Sequence, residues 1–265
     1  MNGASRRPAA LGALYPVVAV IVVLALWQGA VTLFDINVAL LPAPGQVLSA
    51  LIGSRAALVP YSEVTLVEIL VGFGLGVVIG VPLGALIVFS DPVRRAVYPL
   101  LVASQMVPKV AIAPVFVVWF GTGLPSKFLV AFLISFFPIV ISTALGMGSA
   151  DPDMVRLLRS MGAGRLFVFT RLRLPAALPS IFAGLKVAMS LAVVGAIVGE
   201  FVAANSGLGY FLLFANGQVD TPAVFAGLVV LTAIGVVLYF LVEVVERLVV
   251  PAPLRRRAEE STATM

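Results

Sequence analysis

The chain has neither cysteine nor histidine among its 265 residues, and only 11% of its side chains are charged. Without cysteine it can form no disulfide and no thiolate metal site, and without histidine it lacks the commonest general base and metal ligand. Both absences argue against an intramembrane protease or metalloenzyme, which would need a Ser-His pair or zinc ligands. The sequence also contains no G-x-x-x-x-G-K-[ST] loop for the phosphates of ATP.

Apolar side chains make up 61% of the chain, compared with about 45–50% in a typical soluble domain. Long apolar runs recur along nearly the whole sequence, which indicates a polytopic membrane protein with little room for a soluble domain. The net charge of +5 and the pI of about 10 do not indicate a nucleic-acid partner, because the basic residues lie in short clusters between the apolar runs.

Six apolar runs are long enough to cross a hydrocarbon core of about 30 Å at about 1.5 Å per residue. They are residues 14–34, 64–90, 96–120, 128–148, 178–203 and 221–243. A signal peptide is the alternative for the first run, since Arg6 and Arg7 precede it, but the run is too long and no A-x-A cleavage site follows. We therefore expect an all-α membrane protein with six transmembrane helices.

An even number of spans places both termini on the same side of the membrane. On that side lie all but four of the 17 Lys and Arg residues, so the positive-inside rule makes both termini cytoplasmic. The four exceptions are Arg55, Lys127, Lys109 and Lys186, of which the first two are expected in outer loops and the last two within spans. The predicted organisation is a cytoplasmic tail at 1–12, a membrane domain at 13–250 and a second cytoplasmic tail at 251–265.

A glycine ladder runs along the second span, at Gly72, Gly76, Gly80 and Gly84. Glycines four residues apart lie on one face of a helix and let a neighbouring backbone approach closely within lipid. We expect this face to pack against another span.

The segment between the fourth and fifth spans, residues 151–179, is far longer than a minimal connection. Asp151 suits a helix N-cap, Pro152 suits the first helical position, and Gly162 is placed to end the helix. An amphipathic helix of this kind can lie on lipid headgroups, pack on its own bundle or dock into a partner, and spacing alone leaves all three open. Its apolar residues, spaced at i, i+3, i+4 and i+7, are Met154, Leu157, Leu158 and Met161.

Charged residues within the apolar spans are functional candidates. Lys109 directly follows Pro108, which lacks an amide donor, so we expect a local break of the helix there. Its side chain then either contacts substrate or satisfies a freed carbonyl. Glu200 either pairs with a cation or caps the turn that follows its span, and Glu68 and Lys186 are expected nearer the membrane interfaces, where side chains snorkel.

The segment after Asp151 resembles the EAA loop of ABC importer permeases, because Gly162, Leu172, Leu174 and Pro175 have its spacing. The stretches MVPKVAIAPVFVVWFGTG, FAGLKVAMSLAVVGAIVGEF and NSGLGY are similar to permeases for nitrate, sulfonates and taurine, and to those for thiamine-related pyrimidines and riboflavin. The resemblance covers roughly residues 60–245. One departure is that Arg156, Leu157 and Leu158 stand where the family has Glu-Ala-Ala, which removes a carboxylate-mediated contact.

The resemblance implies a MetI-like type I importer fold in a bacterial inner membrane, with no cofactor bound by this chain. It implies separate ABC ATPase subunits that bind ATP and Mg, a periplasmic or lipid-anchored substrate-binding protein, and a second copy of the permease as partners. Within a coupling segment at 151–175, it assigns contact with the ATPase to Arg156, Leu157, Leu158, Arg159, Ser160, Met161, Gly162, Ala163, Leu174 and Pro175. Lys109 and Glu200 are candidates for the solute pathway.

The solute is expected to be small: a sulfonate-like, taurine-like or nitrate anion, or a thiamine-related pyrimidine or riboflavin. An ion-coupled secondary transporter is the alternative from another class, since Lys109, Glu200 and Glu68 would support ion coupling. That alternative leaves the long segment at 151–179 without a role.

Overall fold

The computed structural model describes residues 9–203 and 205–252, and within those ranges every regular element is a helix. The helices are α1 Ala9–Leu33, α2 Pro44–Gly53, α3 Arg55–Phe89, α4 Asp91–Gln105, a 3₁₀ turn Lys109–Ile112, α5 Ala113–Phe120, α6 Leu124–Gly148, α7 Pro152–Ser160, α8 Arg165–Val168, a π turn Phe169–Arg173, α9 Leu174–Ala203, α10 Leu208–Gly217 and α11 Thr221–Val249. The all-helical membrane fold expected from the sequence is thus confirmed.

Four helical segments are long and apolar enough to cross a bilayer: Arg55–Phe89, Leu124–Gly148, Arg165–Val202 and Thr221–Val249. The bent pair α4 and α5 would make a fifth span. The first predicted span coincides with α1, whose apolar part Val17–Leu33 falls in the shorter class of 10–17 residues. By length and composition, four or five spans are thus present among the described residues, and the sixth stays a prediction.

The predicted terminal tails fall mostly outside the described residues, which exclude 1–8 and 253–265. Helix α1 already begins at Ala9, inside the predicted tail at 1–12. The boundaries of the membrane domain at 13–250 therefore stay a prediction.

One compact unit combines residues up to Val59 with Phe211–Val230. Within it the rings of Trp27 and Phe225 lie 5.8 Å apart, and Thr221 Oγ1 donates a hydrogen bond of 2.8 Å to the carbonyl of Ala39. The start of α11 is capped by Asp220, whose carboxylate accepts from the Ala223 amide at 3.1 Å.

The other compact unit comprises Pro60–Tyr210 and the chain from Leu231 onward. Its core is built on α6 and α9, which meet through small residues. A Cβ added to Gly195 would lie 2.6 Å from the Cα of Ala131, and Ala192 is completely buried. Such close backbone approach is how membrane helices gain packing energy where lipid offers no hydrophobic driving force.

The glycine ladder of α3 packs along α6, as the sequence predicted. A Cβ at Gly72 would lie 2.6 Å from the Ala131 Cβ, and a Cβ at Gly84 would lie 2.7 Å from the Thr143 Cβ. The sequence separation is the same in both contacts, so α3 and α6 run parallel with a fixed register.

The expected break in the third span occurs at Pro108, between α4 and the 3₁₀ turn. The helical segments on its two sides are bent by 88°. Because Pro108 has no N–H to donate to an earlier carbonyl, the chain leaves the α-helix before it and resumes as a tighter turn at Lys109.

The helix that contains the fifth predicted span begins before that span. Instead of beginning at residue 178, the helical path runs from Arg165 to Val202, with a π turn at Phe169–Arg173. The wider turn lies just before Pro175, whose ring would otherwise meet a carbonyl of the preceding turn. The second half of the predicted coupling segment is therefore continuous with a membrane span.

Candidate functional site

Helix α7 forms as its sequence predicted. The Asp151 carboxylate accepts a hydrogen bond of 2.8 Å from the Asp153 amide, and Pro152 occupies the first turn. Gly162 has φ +86°, a left-handed conformation that glycine adopts without strain and that turns the chain away from the helix axis.

The apolar face of α7 is exposed. Leu157 is 53% exposed and Met161 is 74% exposed, and none of the nine residues of this fully described helix is buried. Packing on its own bundle, one of the three alternatives, therefore does not account for these two side chains. An apolar surface of this kind is available to lipid or to another protein.

The remaining residues of the predicted coupling site fall into two groups. Around α7, Arg156 forms an ion pair with Asp153, the Ser160 hydroxyl donates to the Leu157 carbonyl at 2.8 Å, and Arg159 is exposed. The second group is half-buried, and lies on α7 itself, at the bend after it and at the start of α9: Leu158, Ala163, Leu174 and Pro175.

Lys109 lies half-buried at the break of the third span, beside a cavity of about 330 Å³. Its ammonium group is 4.7 Å from the ring centre of Phe137 and 3.5 Å from the carbonyl oxygen of Gln105. Both contacts hold a cation at the cavity without neutralising it, because an aromatic face and a carbonyl offer only partial charge. The cavity is also lined by Ile134, Pro138, Ile141, Ser142 and Leu191.

Glu200 is completely buried, and its carboxylate caps the turn that leads into α10. It accepts hydrogen bonds from the Gly209 amide and, at 2.6 Å, from Thr65 Oγ1, which in turn accepts from the Leu208 amide at 2.8 Å. A Cβ at Gly207, where φ is +105°, would collide with the same carboxylate. These contacts support the capping alternative for Glu200. Glu200 does not line the cavity beside Lys109.

One expectation for a charged residue was wrong. Lys127 was expected in an outer loop, but it lies in the first turn of α6, is 2% exposed and forms an ion pair of 3.2 Å with Glu68 of α3, which is 0% exposed. Burial is tolerated because each charge meets the other, and the Lys127 ammonium group also lies 3.5 Å from the Ser206 carbonyl. Lys186 does not simply snorkel, because it pairs with Glu246 at 2.7 Å.

The sequence carried a signal for the buried pair. Glu68 lies one turn before Gly72, and Lys127 lies one turn before Ala131, so both charges extend the register of the glycine ladder. To predict this ion pair from the sequence, one must know which helix the glycine ladder packs against. That helix lies far from the ladder in the sequence, so local patterns do not reveal it.

Three features are now available for comparison with known proteins. They are a parallel pair of spans joined by a glycine ladder, a broken third span and an exposed amphipathic helix. The family described as binding-protein-dependent transport system inner membrane component matches residues 74–251, about two thirds of the chain. The chain belongs to this family.

Curated relatives of this permease share its length. It is 41% identical to the formylaminopyrimidine transport permease protein ThiX of Halalkalibacterium halodurans over 80% of this chain and 85% of the relative. Identity is 38% with the riboflavin transport system permease protein RibX of Chloroflexus aurantiacus, over 88% of each chain. The identity is 31% with the taurine transport system permease protein TauC of Escherichia coli, over 87% of this chain and 86% of that relative.

The permease also resembles a chain of the MetNI methionine ABC transporter solved in an inward-facing conformation. The TM-score is 0.64 at 21% identity, covering 75% of this chain and 99% of that chain. At that identity the likeness shows the fold alone. With the family match, these relatives confirm the resemblance to ABC importer permeases: the chain is a multi-pass inner-membrane permease subunit.

Proposed function

We propose that this permease couples solute import to a separate ABC ATPase through α7. The observation that carries the proposal is the exposed apolar pair Leu157 and Met161, on a short helix held outside the spans by its cap and by Gly162. A groove on the ATPase that takes this face would transmit closure of the ATPase to α9, through the continuous helix from Arg165. Arg156, exposed on the same helix, contributes to the polar margin of that contact.

The chain itself contributes no phosphate-binding loop, so ATP and Mg belong to the partner. Two copies of the permease around a central pathway, two ATPase subunits and a substrate-binding protein on the outer side complete the importer. Both termini and α7 lie on the cytoplasmic side, where the positive-inside rule places most of the arginines. In this role the permease is not itself catalytic.

We propose a nitrogen heterocycle of the formylaminopyrimidine class as the solute, because the relative named for it has higher identity than the taurine permease, at 41% against 31%. A small organic anion such as a sulfonate is the second candidate. It is favoured by Lys109, whose ammonium group borders the 330 Å³ cavity without a carboxylate partner among the described side chains. Uptake of both solutes by the reconstituted importer distinguishes them.

The coupling role is tested by replacing Gly162 with leucine. A side chain at φ +86° costs roughly 1–2 kcal/mol, so α7 should lose its orientation and solute uptake should fall about fivefold or more while the ATPase still hydrolyses ATP. Uptake and ATP hydrolysis are measured in proteoliposomes that contain the permease and its ATPase.

Gly164→Leu is the matched control, because Gly164 has an ordinary φ of −67° and open space around it. Undiminished coupling in Gly162→Leu contradicts the proposed role of α7. Solute uptake by the permease without any ATPase, driven by an ion gradient, favours the secondary transporter instead.

A further inference from the structure

Three arginines meet at a cavity of about 650 Å³ beside α7. They are Arg159 of α7, Arg165 at the start of α8 and Arg173 at the end of the π turn. The rest of the lining is mostly apolar and includes Phe89 and Phe169, whose rings pack edge to face with centres 5.7 Å apart. The cavity therefore combines a strongly basic side with an aromatic wall.

None of these three guanidinium groups has a carboxylate within 4 Å among the side chains that the structure describes. The neighbouring Arg156 and the distant Arg247 do have such partners, Asp153 and Glu243. Three uncompensated charges at one cavity repel each other unless an anion joins them. Among the described side chains the three arginines thus lack a carboxylate partner, which favours a negative group from outside.

The position of the cavity indicates where that anion comes from. Phe89 is the last residue of one helix that is long and apolar enough to span a membrane, and Arg165 is the first residue of another. Both helix ends line the cavity, so it lies at the predicted cytoplasmic end of two spanning helices, the side on which headgroups are met. A second cavity of about 580 Å³ shares Arg173 and adds Arg94 and Tyr98, which extends the basic surface along the same boundary.

We propose that the cavity lined by Arg159, Arg165 and Arg173 binds the phosphate of an anionic phospholipid, with an acyl chain lying along Phe89 and Phe169. Guanidinium groups bind phosphate oxygens through paired charge-assisted hydrogen bonds, and basic pockets between spans at a membrane surface recognise acidic headgroups. An acidic segment of the ATPase would satisfy the arginines but would leave the aromatic wall without an apolar partner. Because Arg159 belongs to α7, a bound lipid would also hold the base of that helix against the membrane.

The test compares lipid binding to the purified full-length permease by native mass spectrometry, with phosphatidylglycerol and phosphatidylcholine as probes. Arg165→Gln and Arg173→Gln should each weaken phosphatidylglycerol binding about fivefold, the effect of removing one basic contact at a membrane surface. Phosphatidylcholine binding should stay unchanged. Arg171→Gln is the control, because Arg171 is exposed on the same π turn and does not line the cavity.

Arg173→Lys keeps the positive charge, so it should bind phosphatidylglycerol better than Arg173→Gln does. This second variant shows whether a loss of binding comes from the lost charge or from a fold disturbed at position 173. Equal binding of the two lipids, or an equal loss in Arg171→Gln, overturns the proposal. So does competition by inorganic phosphate at the affinity of the lipid, since the site would then take a free anion. Normal phosphatidylglycerol binding in variants that no longer co-purify with the ATPase also overturns it and assigns the arginines to that protein.

Discussion

At the scale of single residues, the buried charged side chains of α3, α6 and α9 determine which substitutions the fold can accept without losing stability. Glu68 and Glu200 are both 0% exposed, and Lys127 at 2% exposed forms an ion pair with Glu68. Removing one partner of a buried pair leaves an uncompensated charge, which costs about 3–5 kcal/mol. Lys127 therefore contributes far more to the stability of the fold than a lysine on the surface does.

Lys127→Met should lower the apparent free energy of unfolding by about 3–5 kcal/mol, because Glu68 is then left buried and unpaired. Adding Glu68→Gln should recover about 1–3 kcal/mol of the loss, since the double variant no longer buries that lone carboxylate. Denaturant unfolding of the purified permease in detergent measures both.

Lys186→Met provides the comparison for this prediction. The Lys186–Glu246 pair is more accessible, with a lysine side chain that is 21% exposed, so its loss should cost less. If Lys127→Met is as stable as the wild type, or if the double variant is no better than the single one, the buried pair does not stabilise the fold as described.

At the scale of helices, the register of α3 on α6 holds the unit together. The same sequence separation relates Glu68 to Lys127, Gly72 to Ala131 and Gly84 to Thr143, so one ion pair and a run of close glycine contacts form a single parallel seam. Seams of small residues let helices associate in lipid, and an added methyl group separates them.

Gly84→Ala should destabilise the permease by about 1–3 kcal/mol, because its methyl group would lie 2.7 Å from the Val140 carbonyl oxygen. Gly74→Ala on the same helix has open space and should be neutral or slightly stabilising. Unfolding midpoints of the two variants give the comparison, and equal midpoints would show that the seam is not close-packed.

Local chemistry made some of these elements predictable. The cap at Asp151, the turn at Gly162 and the break at Pro108 each depend on residues within one turn, and all three occur as expected. The helix before the fifth span could not be predicted from the apolar pattern, because Arg165 and Arg173 interrupt that pattern while the helix continues through them. The partners of Lys127 and the arginine cavity depend on residues far apart in sequence, which periodicity does not reveal.

At the scale of the whole molecule, the absence of native cysteine allows the topology to be tested directly. Leu166→Cys, in α8 shortly after α7, should react with a membrane-impermeant maleimide only after cells are permeabilised, since Leu166 is 68% exposed. Leu40→Cys, in the connection between α1 and α2, should react in intact cells, since Leu40 is 77% exposed and predicted to lie outside. The opposite labelling pattern would place α7 on the wrong side for an ATPase.

Import driven by ATP depends on docking of the apolar face of α7 into a partner ATPase. The most direct measurement is crosslinking of Leu157→Cys and Met161→Cys to the ATPase that co-purifies with the permease, with Leu248→Cys as an exposed control outside α7. We expect crosslinks from both positions of this apolar face and none from Leu248→Cys. Efficient crosslinking of the ATPase to Leu248→Cys with none to Leu157→Cys or Met161→Cys would contradict it.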